Sequence, residues 1–233
     1  MHIIIHTKTA VGLLLATVLS LGVSLEPRHT LAQPGPAAPP GAGQTWTHDK
    51  NDPLVLTEEE TEDSYAIYSM LLKEEMKDWH LKRYAIEEWT GDMRGTPGDP
   101  LCLKPADEVR ATYQDVFEDF LRKNRSRHRL DRQFALDDYL LLSPKESKHV
   151  AGSFSPGPGF RWSADDQKRY HDIHGIFTLS EVGFDHAHSR ALVYIGSQCG
   201  SLCGGGTYHL LVKRDGKWQP DSDFKGNWCQ WVS

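Results

Sequence analysis

The chain has 233 residues, 39 % of them hydrophobic and 25 % charged, with a formal net charge of −6 at neutral pH. These proportions belong to a globular protein and exclude a low-complexity or fibrous chain. The acidic balance opposes a general affinity for nucleic acid, which needs clustered Lys and Arg to neutralise phosphates.

Residues 1–32 carry the parts of an export signal. Lys8 closes a short n-region, Ala10 to Leu25 is apolar, and Thr30-Leu31-Ala32 is a small-x-small cleavage site. The apolar stretch is shorter than the roughly 20 residues that span a bilayer, so cleavage before Gln33 is expected; an uncleaved anchor is the alternative. Cleavage removes Lys8, Arg28 and Glu26 and leaves 24 basic against 31 acidic residues. The expected location is therefore exported, periplasmic or secreted, with no stable membrane span afterwards. Residues 33–56 begin QPGPAAPPGAG, with almost nothing to bury, and are expected to be a disordered tether. Residues 57–233 then form one domain.

Order begins at Thr57, which with Glu60 makes a capping box, and Tyr65, Tyr68, Leu71 and Leu72 mark one face of the helix that follows. Tyr84 and Ile86 suggest a strand ending near Thr90, although the preceding KDWHLK could prolong the helix. Glycines and prolines make 91–105 a loop containing Cys102. A second helix carries Val109, Tyr113, Val116, Phe117, Phe120 and Leu121, with Asp107 and Glu108 at its start and Arg122 and Lys123 at its end, as the macrodipole favours. Phe134 to Leu142 is a further extended segment, Ser143-Pro144-Lys145-Glu146 opens a short helix, and 152–159 is a second loop. A helical turn over Trp162 to Tyr170 leads into a strand ending at Phe184, a polar turn over 185–189, and a second strand over Ala191 to Ile195. Gly196 to Gly206 reads as a long loop able to adopt positive φ repeatedly, after which Tyr208 to Lys213 alternate and Asp215-Gly216 signals a tight turn into a strand at Trp218. Helices preceding a meander give an α+β class, with helices on one face of a curved antiparallel sheet.

The segments LSEVGF, ALVYIG, CGSLCGGGTYHLL and KRDGKW, with DSYAIYSMLL and FALDDYLLLS upstream, resemble a loosely defined group of uncharacterised exported bacterial proteins. The resemblance implies an exported α+β domain with a glycine-rich cysteine loop, and brings no activity or catalytic residue.

Four cysteines in an exported chain point to disulfides. Cys199 and Cys203 are spaced to close a local bridge, and a Cys102 to Cys229 bridge would close most of the domain; a reactive thiol in the loop is the sharper alternative. His171, His174, His186 and His188 would make a zinc or copper site if the turn at 185–189 folded toward His171, with Asp172 and Asp185 beside them; solvated loop histidines are the plainer interpretation. The run Arg122, Lys123, Arg125, Arg127, His128, Arg129 could meet an anionic surface or simply be a solvated helix end. Trp46, Trp218, Trp228 and Trp231 could form a binding face or pack as rim and core. Adjacent carboxylates, Glu74 with Glu75 and Asp137 with Asp138, do not face one another and support no catalytic pairing. No nucleotide, dinucleotide or metalloprotease motif is present, so no cofactor is expected. The expected function is a non-enzymatic binding or interaction module of the cell envelope, contacting an unidentified ligand or envelope protein. A secreted hydrolase or metal-binding enzyme using histidine and carboxylate is the alternative, and an envelope-anchored structural protein a third.

Overall fold

Helix α1 (Glu58–Trp79) starts where the capping box places it: Thr57 N–H donates to Glu60 at 2.8 Å and Glu60 N–H donates to the Thr57 hydroxyl at 3.1 Å. A computed structural model describes this helix and the rest of residues 54–79, 83–91, 103–157, 159–200, 203–227 and 230–232. The signal segment, residues 33–53 of the tether, Cys102, Cys229, Trp46 and Trp228 lie outside the described residues. After α1 come β1 (Tyr84–Glu87), β2 (Lys104–Pro105), α2 (Arg110–Lys123), β3 (Tyr139–Leu142), α3 (Pro144–Phe154) and α4 (Ala164–Tyr170). The C-terminal half supplies β4 (Ile176–Leu179), β5 (Gly183–Phe184), β6 (Arg190–Gly200), β7 (Cys203–Arg214), β8 (Lys217–Pro220), β9 (Gly226–Asn227) and β10 (Gln230–Val232).

The main sheet runs β10-β7-β6-β4-β1-β3, with β5 paired to β6 and β8 to β7. It is mixed rather than an antiparallel meander: β1 is parallel to both β3 and β4, and only the C-terminal strands alternate in direction. Helices also cover both faces, not one. Ala191, Val193 and Ile195 of β6 pack with Tyr68, Leu71 and Leu72 of α1, while Leu192 and Tyr194 point the other way and pack with Tyr113, Val116 and Phe120 of α2. Ala85 and Ile176, on that second face, meet Val150 of α3 and Tyr170 of α4. Both faces being apolar explains why β6 reads as a continuous run rather than as an alternating one.

Residues 196–200 and 203–206 of the expected loop are instead strand. Gly196 pairs with Gly206, Ser197 with Gly205 and Gln198 with Gly204, and among these glycines only Gly200 has positive φ. Glycine is used here for space. The Tyr194 hydroxyl and the Trp231 indole, which donates to it at 2.8 Å, lie against Gly206, where a Cβ would collide with both. Beyond the glycines Cys199 and Cys203 form a disulfide, with Cα atoms 5.1 Å apart, that closes the end of the hairpin. At the other end of β7, Asp215 and Gly216 both take positive φ, as a type I′ turn requires. Cys102 and Cys229 stand, in sequence, two residues from the β2–β9 ladder, which pairs Lys104 with Asn227.

Candidate functional site: an acidic cleft between two helices and a turn

Asp115, Glu118, Asp119 and Arg122 recur on α2 at spacings of three and four, so they form one stripe opposite the apolar stripe of Tyr113, Val116 and Phe120. The first turn of α1 brings Glu59 and Glu60 to the same place, and the turn between β5 and β6 brings Phe184, Asp185, His186 and His188. Together with Thr57 they line an open cleft of about 580 Å³. Six of its lining side chains are carboxylates and one is a guanidinium.

Each wall is fixed. The turn is held by Asp185, whose carboxylate accepts from the amides of Ser189 at 2.6 Å and Arg190 at 2.9 Å. Burial pushes that carboxyl up, but these amides, the Ser189 hydroxyl and nearby Arg190 outweigh it and hold it below the ordinary range. Asp119 ties α2 to β5 by accepting from the Phe184 amide at 2.8 Å. The cleft floor is an ion cluster: Lys123 Nζ sits 2.6 Å from Glu60 Oε1 and 2.9 Å from Asp119 Oδ2, and 4.9 Å above the centre of the Phe184 ring. Lys123 is 1 % exposed, which corrects its expected place in a solvated helix end. Its neighbours in the basic run are paired elsewhere: Arg127 with Glu87 and the Thr90 carbonyl, and Arg129 with Glu88.

Behind Lys123 lies a carboxyl that sequence reasoning passed over. Glu181 is 5 % exposed, and burial drives its pKa up to about 7, with Lys123 pulling the other way. A carboxyl raised from 4.5 in the unfolded chain to about 7 favours the fold fully below 4.5 and loses that contribution as pH rises through 7. Stability should therefore fall by roughly 2–3 kcal/mol between pH 5 and pH 8 on this account alone. Urea unfolding at several pH values checks it: Glu181→Gln should flatten this decline, and an unchanged slope in the variant would refute it.

The four histidines do not converge. Ile176, which follows His171 and His174, pairs with Gln198, whereas Phe184, which precedes His186 and His188, pairs with Ala191. Seven residues of β6 separate the two pairs, on the order of 23 Å. His171 is exposed and bonds the Lys168 carbonyl at 2.9 Å, His174 is exposed, and Asp172 is an exposed turn residue with φ 61°. At the cleft, His186 Nδ1 lies 2.5 Å from Asp115 Oδ2, a hydrogen bond and charge that raise its pKa. His188 is half-hidden, stacked on Phe184 with ring centres 4.3 Å apart, and its Nε2 is 2.7 Å from Asp63 Oδ2. Of the tryptophans named from sequence, Trp218 is buried beside Phe184 and Trp231 is half-buried on Tyr194. Asp138 pairs with Arg83, and Glu74 with Lys77, both away from the cleft.

The chain matches no protein-family profile, no curated protein and no solved structure. Among the described residues no helix is long and apolar enough to cross a membrane.

Proposed function

We propose that the protein is an exported, non-enzymatic binding module of the cell envelope, and that its ligand is a positively charged segment of another envelope protein seated in the α1–α2 cleft. The observation that carries this is the charge of the cleft, six carboxylates against the Arg122 guanidinium and the buried Lys123 ammonium at the floor, around a space of about 580 Å³. A concave wall of one sign concentrates counter-charged ligands and speeds their encounter. The Cys199–Cys203 disulfide is consistent with an oxidising compartment. The His186–Asp115 pair favours a hydrolase as the second reading, since a carboxylate-bound imidazole is the usual general-base unit. Against it, Thr57, the one hydroxyl among the lining residues, is engaged in capping α1.

An oligolysine peptide titrated into the full chain at low ionic strength tests the proposal. Binding should saturate and weaken as salt is added, because the charges are solvent-facing. Asp115→Asn with Glu118→Gln should weaken it about tenfold, at roughly 0.5–1 kcal/mol per exposed charge. The pH dependence has a definite sign. His186 gains its proton as pH falls through a value above the ordinary imidazole 6.5, adding positive charge to the cleft, so affinity should drop on acidification and recover on the alkaline side. Binding that is indifferent to salt and to both substitutions would rule the cleft out.

A further inference from the structure

Glu59 and His188, which line the cleft, belong with Asp63 to a second cluster with different chemistry. Glu59, Asp63 and His188 each offer one ligand atom, and the three atoms lie within 4.8 Å of one another. His188 Nε2 is 2.7 Å from Asp63 Oδ2 and 4.0 Å from Glu59 Oε1. Ligand atoms about 2.0–2.2 Å from a tetrahedral zinc ion stand roughly 3.3–3.6 Å apart, so these separations bracket what such an ion needs. A cation already stands there: Lys213 Nζ is 2.7 Å from Asp63 Oδ2 and 3.8 Å from Glu59 Oε1.

Two features distinguish this cluster from a surface ion pair. Asp63 and His188 are mostly enclosed while Glu59 is two-thirds exposed, which gives two fixed ligands and one arm free to close. The His188 ring is aimed by a backbone in the left-handed region, φ 51°, and clamped flat on Phe184. In that same position the Lys213 ammonium also lies 5.4 Å from the centre of the Trp218 ring.

We infer that Glu59, Asp63 and His188 bind a divalent transition-metal ion of the zinc type, and that Lys213 is the internal cation it displaces. The two carboxylates and the Lys213 ammonium sum to one net negative charge; exchanging the ammonium for a divalent ion balances the carboxylates. One imidazole with two carboxylates suits zinc better than calcium or magnesium, which favour all-oxygen sites. Three protein ligands leave a fourth position open in a tetrahedral site. The inference shares the cleft with the proposed function but uses none of the α2 carboxylates.

Zinc chloride titrated into the full chain by calorimetry, with cobalt absorption as a second readout, tests it. We expect one zinc per chain, a loss of at least about tenfold in affinity for His188→Ala and for the exposed Glu59→Gln, and a gain of about tenfold for Lys213→Met, where nothing need be displaced. Glu59→Gln keeps the test sound should His188→Ala fail to fold, and His171→Ala with His174→Ala should leave uptake unchanged. No uptake, uptake indifferent to Glu59→Gln and His188→Ala, or no gain from Lys213→Met would overturn the inference. Zinc uptake without oligolysine binding would overturn only the proposed function, and the reverse only this site.

Discussion

Replacing Lys123 with Ala lowers the stability of the domain by about 3 kcal/mol or more, the range in which removing one partner strands the rest of a buried ion cluster. Lys123 is the hinge of three elements. Its ammonium joins Glu60 of α1 to Asp119 of α2 and lies over the ring of Phe184 of β5. Without it Glu60 and Asp119, only 20 % and 17 % exposed, face each other with only the Arg122 guanidinium on Asp119 left to balance them. Glu60 shows the balance now: burial pushes its carboxyl up, yet the bonds from Lys123 and Thr57 hold it below the ordinary range. Loss of Lys123 also removes the one influence pulling the Glu181 pKa down, so Glu181 should titrate at still higher pH in the variant. Urea unfolding at neutral pH measures the first effect, and Glu60→Gln in the Lys123→Ala background should recover part of it by removing the repulsion. A variant within about 0.5 kcal/mol of the native chain would mean the cluster is an ordinary surface network.

Gly183→Ala carries the second large effect, of about 3 kcal/mol or more, for a reason unrelated to backbone freedom. A Cβ at this position would stand 2.5 Å from both the backbone nitrogen and the Cα of Phe120 and 2.6 Å from its Cβ. Backbone meets backbone here, so no rotamer change relieves the overlap, and α2 must move off β5. That movement breaks the Asp119 bond to the Phe184 amide and opens the cleft. Gly152→Ala in α3 is the matched control: a Cβ there meets nothing within 4 Å, and helix propensity predicts a gain of roughly 0.5–1 kcal/mol. Thermal unfolding of the two variants should therefore shift in opposite directions, and a Gly183→Ala chain that melts with the native one would contradict the packing of α2 on β5.

What could be read from the residues was what local chemistry dictates. The Thr57 and Ser143 capping boxes, the apolar stripe of α2 and the Asp215-Gly216 turn all follow from side chains a few positions apart, and each is present. The parallel pairing of β1 with β3 and β4 depends on where intervening chain crosses the sheet, and a four-residue strand such as Tyr139–Leu142 carries no mark of its neighbour's direction. The glycines of β6 and β7 misled because glycine serves both loops and close packing; only the position of Tyr194 and Trp231 distinguishes the two uses. For the cleft, the carboxylate stripe of α2 lies in a spacing that the apolar stripe overshadows, and Asp63, Lys123, Glu181 and Lys213 gain their roles from burial and from partners 58 to 150 residues away. His186 and His188 line the cleft, whereas their union with His171 and His174 would require the turn to fold back along most of β6.

The proposed binding role requires the cleft to receive positive charge, and calorimetric titration of oligolysine against the native chain, with oligoglutamate alongside, tests it most directly. The cleft predicts saturable uptake of oligolysine alone, weakened by salt and about tenfold by Asp115→Asn with Glu118→Gln. No uptake, or the same affinity in the doubly substituted chain, would contradict it.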